Sequence, residues 1–220
     1  MFLTKKNFTW LLGALLVFLI VVPLAEDLGI ISTRNMRTLM FTWLLAFGVW
    51  SLRGFGRSFP IAIGLAVAGI VLTILAAATP GDAFALSSLA SAAGFIVIAV
   101  WCIATQVLKS QEISANRLVG TVTLYLLFGV LWAIAYDVIE QINPGSFNGI
   151  SEPVAMGWTS DWLYFSFVTM TTLGYGDIAP ISATARTFAY LQAVFGQFYI
   201  AILVAGLVSA YITKFLTSTD

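Results

Sequence analysis

From Phe84 to Leu108 the chain carries no charged residue, and that one stretch excludes most folds. As a helix it would be longer than the ~30 Å of hydrocarbon in a bilayer. Within hydrocarbon every backbone N–H and C=O must find its partner inside the protein, which leaves helices and closed barrels. An uninterrupted apolar run without strand alternation is a helix. Composition extends the argument to the whole chain, which is 60% hydrophobic and 9% charged over 220 residues. A soluble domain would be about 25% charged. The expected class is an all-α integral membrane protein.

Five further long apolar runs accompany this one: Phe8–Ala25, Thr38–Leu52, Ile61–Ala78, Leu118–Ile139 and Ala183–Phe215. Six transmembrane helices are expected. Thr38–Leu52 is short for a span, with Trp43 and Trp50 as interfacial anchors and Arg37 or Arg53 snorkelling at its ends. The Ala and Gly of Ile61–Ala78 suit close helix packing. Lys5 and Lys6 before an apolar run also have the form of a secretory signal. The run is read instead as the first span, with the N-terminus cytoplasmic, so the formal glycosylation triplet Asn7-Phe8-Thr9 lies on the wrong side. That topology places Lys5, Lys6, Arg53, Arg57, Lys109, Arg117 and Lys214 inside, and Arg34, Arg37 and Arg186 outside. The bias follows the positive-inside tendency, and the C-terminus is cytoplasmic too.

Between the last two spans lies a shorter apolar run, residues 162–171, followed by Thr172-Leu173-Gly174-Tyr175-Gly176-Asp177. Its length is about half that of a spanning helix. Glycine adopts φ > 0 at almost no steric cost. If handedness alternates along Thr172–Gly176, successive carbonyls point to one side. One such row does nothing alone. Four rows around a symmetry axis make stacked rings of oxygens that replace the water shell of a dehydrated K⁺ ion.

Thr172–Asp177 resembles the selectivity filter of tetrameric potassium channels, whose commonest form has Val at the place of Leu173. Tyr164 and Phe165 stand where that family has a pair of pore-helix aromatics, and Thr171 and Thr172 are its paired threonines. Pro180 and Arg186 follow at the family's spacing, and Gly196 falls at the glycine hinge of the inner helix. The likeness covers Leu118–Leu216, less than half of the chain. It implies a re-entrant pore helix (162–171), a filter loop (172–177) and an inner helix (183–215). It further implies K⁺ at Thr172, Leu173, Gly174 and Tyr175, with Gly176 completing the filter, in a homotetramer that needs three identical partner subunits. Potassium would be the permeant ion, with no organic cofactor. The setting would be the plasma membrane, the inner membrane of a prokaryote, with lipids as neighbours. Residues 1–108 would form a four-helix domain in the position of a voltage sensor, 109–117 a linker, and 118–220 the pore domain.

The surroundings of the filter carry expectations of their own. Tyr164 and Phe165 are expected to brace Tyr175 by packing, with the Tyr164 hydroxyl donating to Asp177. Val168 occupies a position where some relatives carry a buried glutamate, so one tie from the pore helix to Asp177 is missing. Asp137, Glu140, Glu152, Asp161 and Asp177 outnumber Arg186 on the outer side, enough to concentrate cations at the mouth unless they serve as ordinary loop residues. Gly196 and Gly206 are candidate bend points or packing glycines. Gln197 is expected to face the cavity or the pore helix. Ile200, Val204, Val208 and Ile212 recur at helical spacing and are candidates for the cavity lining and an apolar inner constriction.

Other classes find little support. The chain has no histidine, which excludes a His-ligated metal or a Ser-His-Asp triad. Its formal net charge is zero, arguing against nucleic acid. Cys102 has no second cysteine to pair with and reads as a small buried hydrophobe. No paired carboxylates lie within the spans, so an enzyme is not expected. Voltage sensing needs charge inside the field, and the fourth span has none, so steep voltage dependence is not expected. Only eight residues follow Ile212, too few for a cytoplasmic gating ring. The alternatives are a weakly selective cation channel, a K⁺ transporter subunit of the kind with degenerate filter loops, and a membrane scaffold.

Overall fold

Each apolar run among the described residues forms a helix. The structure, a computed structural model, describes residues 7–28, 58–78, 82–109, 115–150 and 160–217. The run expected over Thr38–Leu52, the linker residues 110–114 and Glu152 lie outside them. The helices are α1 (Asn7–Asp27), α2 (Ser58–Ala78), α3 (Asp82–Lys109), α4 (Ala115–Ile142), α5 (Ser160–Met170) and α6 (Ala183–Thr217). Most run two or three residues past the apolar limits, because polar end residues close the last helical turns at the water boundary. By length and composition, Phe8–Ala25 and Arg117–Ile142 are apolar enough to cross a membrane, and Ala90–Thr105 is a shorter apolar stretch.

Helix α4 is the hub. Helices α1, α3, α5 and α6 all pack on it, and α2 joins through α3. The shared core is made of Phe8, Leu11, Leu15 and Phe18 on α1, Phe95, Ile96 and Ile103 on α3, and Leu124, Leu127 and Val130 on α4. Cys102 is buried among them. Threonines on the helices hide their hydroxyls by donating one turn back: Thr121 to the Arg117 carbonyl, Thr123 to Val119 and Thr187 to Ala183, each at 2.8 Å. That satisfies a donor which an apolar bundle would otherwise leave unpaired.

Helix α5 has 11 residues, a length of ~16 Å, and leads into the loop that begins at Thr171. A two-stranded antiparallel pair, β1 (Phe147–Asn148) with β2 (Ala179–Pro180), joins the loop after α4 to the loop before α6. Phe147 fills the centre of a ring cluster. It packs edge-on to Tyr136 at 5.5 Å, Trp162 at 5.0 Å and Phe165 at 5.4 Å between centroids, which fastens α5 to α4.

Candidate functional site

The loop 171–178 takes the shape its glycines permit. Thr172, Gly174 and Gly176 have φ of 58°, 55° and 82°. Among the described residues, no non-glycine other than Thr172 has positive φ, so left- and right-handed residues alternate from Thr172 to Gly176. Alternation is the backbone condition for carbonyls that project to one side. Thr172 is a β-branched residue in a region that L side chains avoid, so its surroundings must hold it there. Its N–H donates to the Thr169 carbonyl at 3.0 Å, and its Oγ1 accepts the Gln197 amide at 3.0 Å. Gln197, expected to face the cavity or the pore helix, thus reaches the start of the loop just past α5.

The start of the loop is fastened to the end of α5. The Leu173 and Gly174 N–H groups both donate to the Val168 carbonyl, at 2.9 and 3.3 Å, while Thr171 donates to Phe167 through its N–H (3.0 Å) and its hydroxyl (2.7 Å). These are carbonyls that the end of a helix leaves without intrahelical partners. The supporting role of Thr171 is thus local: it closes the helix.

At the other end, the Tyr164 hydroxyl donates to Asp177 Oδ2 at 2.5 Å, and the Tyr164 and Tyr175 rings lie parallel within 5°, with centroids 6.4 Å apart. This bond, foremost, holds the Asp177 carboxyl below its ordinary value. Phe165 departs from the expected bracing of Tyr175. It is buried and turns to Tyr136 (4.8 Å) and Phe147 (5.4 Å) instead. Neighbours on a helix point about 100° apart, so the two aromatics support different sides of α5.

The outer loop holds the far end in place. Gly149 has φ +85°, and a Cβ there would stand 1.8 Å from the Asp177 carbonyl oxygen. Ser146 accepts from Ile181 and Ser182, and Arg186 Nε donates to the Pro180 carbonyl at 3.2 Å. Two of the acids expected to charge the mouth have structural work: Glu140 accepts from the Gly145 and Phe147 N–H groups, and Asp137 is buried and accepts from Gln141. Both stand in the last turns of α4, where these bonds tie the helix end to the loop that follows.

On α6, Gly196 touches the end of α5: a Cβ there would lie 2.1 Å from the Met170 carbonyl oxygen. Close approach is therefore an observed reason for this glycine, and α6 runs unbroken through it. Nothing lies within 4 Å of the corresponding point at Gly206. Ile200 is exposed. Helix α6 also carries Val204, Val208 and Ile212, but their side chains lie outside what the structure describes. Leu173 and Tyr175 are 55% and 68% exposed, and α6 bares Tyr190, Val194, Phe198 and Ile202 nearby.

Missed by sequence reasoning was a buried polar chain behind the loop. Tyr136, Ser166 and Gln192 are all buried. The Tyr136 hydroxyl donates to Gln192 Oε1 at 2.5 Å, Gln192 Nε2 donates to the Ser166 carbonyl (3.0 Å) and Oγ (2.7 Å), and Ser166 Oγ lies 2.7 Å from the Gly129 carbonyl, to which it donates. Polar residues inside apolar helices were the available signal.

Residues 119–213 match the family model described as an ion channel. The chain is 38% identical over 95 residues to the inward rectifier potassium channel Kirbac3.1 of Paramagnetospirillum magnetotacticum, covering 41% of this chain and 28% of that one. It is 38% identical over 87 residues to two-pore potassium channel 5 of Arabidopsis thaliana, covering 39% and 18%. With potassium voltage-gated channel subfamily A member 5 of Mus musculus it shares 33% over 117 residues, 52% and 18%. The matches span less than a third of each of these relatives. No solved structure matches significantly.

Proposed function

We propose that this chain is one subunit of a homotetrameric potassium channel, with K⁺ passing down its gradient through rings of backbone carbonyls from Thr172 to Tyr175. The observation that carries this reading is the alternating backbone of Thr172–Gly176. It lies on a loop whose Leu173 and Tyr175 side chains stand bare in a single chain. Three further copies around the loop would cover those side chains and complete the rings. The likeness to potassium channels over the same residues supports the choice of ion. In this reading the chain crosses the membrane six times, α5 and the loop are re-entrant, and both termini are cytoplasmic. Leu173, where Val is commonest, favours a weakly selective cation pore as the second reading. Purified protein in liposomes, under opposed K⁺ and Na⁺ gradients, separates the two. The first expects a reversal potential near that of K⁺, the second one near zero. Absence of current would defeat both.

The same recordings test the first four spans. A moving charge is worth about 2.3 kcal/mol per 100 mV. The charges of α3 stand at its two ends, Asp82 and Lys109. Conductance is expected to change less than about twofold over roughly 200 mV. A many-fold rise over tens of millivolts would refute it.

Asp177 sets the acid limit of the outer mouth. Its lowered pKa means the bond to Tyr164 is complete above the ordinary aspartate value, ~3.9, and is lost as pH falls through the lowered one. Tyr164→Phe removes the donor, so the carboxyl titrates at higher pH. External acid steps on wild type and Y164F should show inhibition beginning at higher pH in the variant. Coincident acid profiles would show that the bond does not govern the mouth.

A further inference from the structure

We infer that Gln192 is a positioning residue for ion selection, acting on the filter from behind through Ser166 and Val168. The inference rests on the channel reading above.

The orientation of its amide is determined by its partners. The Ser166 carbonyl can only accept, so the nitrogen of Gln192 faces it at 3.0 Å. That leaves Oε1 toward Tyr136, whose hydroxyl must donate at 2.5 Å. Both Nε2 hydrogens are used, the second on Ser166 Oγ at 2.7 Å, and Ser166 Oγ then has its own hydrogen for the Gly129 carbonyl at 2.7 Å. The chain of donors therefore starts on α4 at Tyr136, crosses α6 and α5, and returns to α4 at Gly129. Those two positions are two helical turns apart on one face of α4. All three side chains are buried, where a donor without an acceptor is expensive.

The clamp holds Ser166, and two residues on is Val168, whose carbonyl receives the Leu173 and Gly174 N–H groups. A shift or rotation of α5 at Ser166 moves that carbonyl, and with it the peptide planes that present the filter oxygens. Val168 itself supplies no carboxylate to tie the helix to Asp177. Gln192 holds the same helix from its opposite side. Tyr136 adds a second grip, since its ring also packs on Phe165 at 4.8 Å. The carboxamide matches the site because it donates twice and accepts on the far side in one plane. Leucine fills a similar volume and does neither.

Four proteins, wild type, Gln192→Leu, Tyr136→Phe and the double variant, are purified, checked for tetramers by size exclusion, and recorded in liposomes under bi-ionic K⁺/Na⁺ conditions. Wild type must discriminate K⁺ first; if it does not, the channel reading itself fails. Given that, Q192L should lower the K⁺/Na⁺ permeability ratio by at least about tenfold, the scale of a buried polar group left unpaired. It should also make currents decline when K⁺ is lowered, and Y136F should do both to a smaller degree. In the double variant the effects should not add, because the groups act as one chain. A role in packing alone would reduce the yield of tetramers and leave the permeability ratio per channel untouched. Wild-type selectivity in Q192L tetramers overturns the inference. If Q192L does not assemble, Y136F decides: an unchanged ratio there overturns it as well.

Discussion

Alanine at Gly174 or Gly176 is expected to abolish discrimination between K⁺ and Na⁺. Both glycines hold positive φ, 55° and 82°, and no atom lies within 4 Å of the point where a Cβ would stand. The cost within a subunit is therefore conformational and not steric. An L-residue in the left-handed region pays ~1–2 kcal/mol, and the proposed pore of four subunits would pay it four times, ~4–8 kcal/mol in all. The backbone escapes that cost by rotating the residue to negative φ, which turns a carbonyl off the axis and removes a ring. Gly145 supplies the control. Its φ is +82°, also with nothing within 4 Å, but it sits in the outer loop. Gly145→Ala pays the same backbone penalty and should keep its selectivity. Bi-ionic reversal potentials on the three variants read the outcome. Normal discrimination in G174A or G176A would mean that ions are chosen elsewhere.

The two glycines were legible in the sequence because φ > 0 singles out one residue type. The left-handed Thr172 was not, since nothing local marks a β-branched residue for that region. It is held by Thr169 and by Gln197, the latter 25 positions away. The helices were legible almost to their ends, since an apolar run in this setting has no other way to pair its backbone. Side-chain direction was less so: Tyr164 and Phe165 read as one aromatic pair, and the helix sends them about 100° apart, to different faces. Gly149 carried no mark of its role in the sequence. Its contact with the Asp177 carbonyl comes from a fold-back that local sequence does not encode. The polar chain is the plainest case. Tyr136, Ser166 and Gln192 are each conspicuous in apolar helices, yet nothing in one sequence pairs residues 26 and 56 positions apart.

Gly196 was open to two readings, bend or close packing, and Gly196→Ala separates them by sign. Alanine favours helix by about 1 kcal/mol over glycine, so a glycine serving only as a bend should give a stiffer and more stable protein when replaced. Close packing predicts the reverse. The added Cβ would stand 2.1 Å from the Met170 carbonyl oxygen and 3.0 Å from its carbon, backbone atoms that cannot swing aside as a side-chain end can. Met170 closes α5, and Thr171 follows it directly, so α6 can yield only by moving away from the root of the loop. Overpacking of this kind costs ~1–3 kcal/mol per site, at least what the helix gains, and the proposed tetramer would carry it in every subunit. G196A is therefore expected to lower the temperature at which purified tetramers dissociate, by several degrees or more, and to weaken the Gln197–Thr172 contact beside it. Gly206→Ala, with open space at the same point, should be neutral or slightly stabilising. Size exclusion after stepped heating measures both. A G196A tetramer at least as heat-resistant as wild type would return this glycine to the bending role.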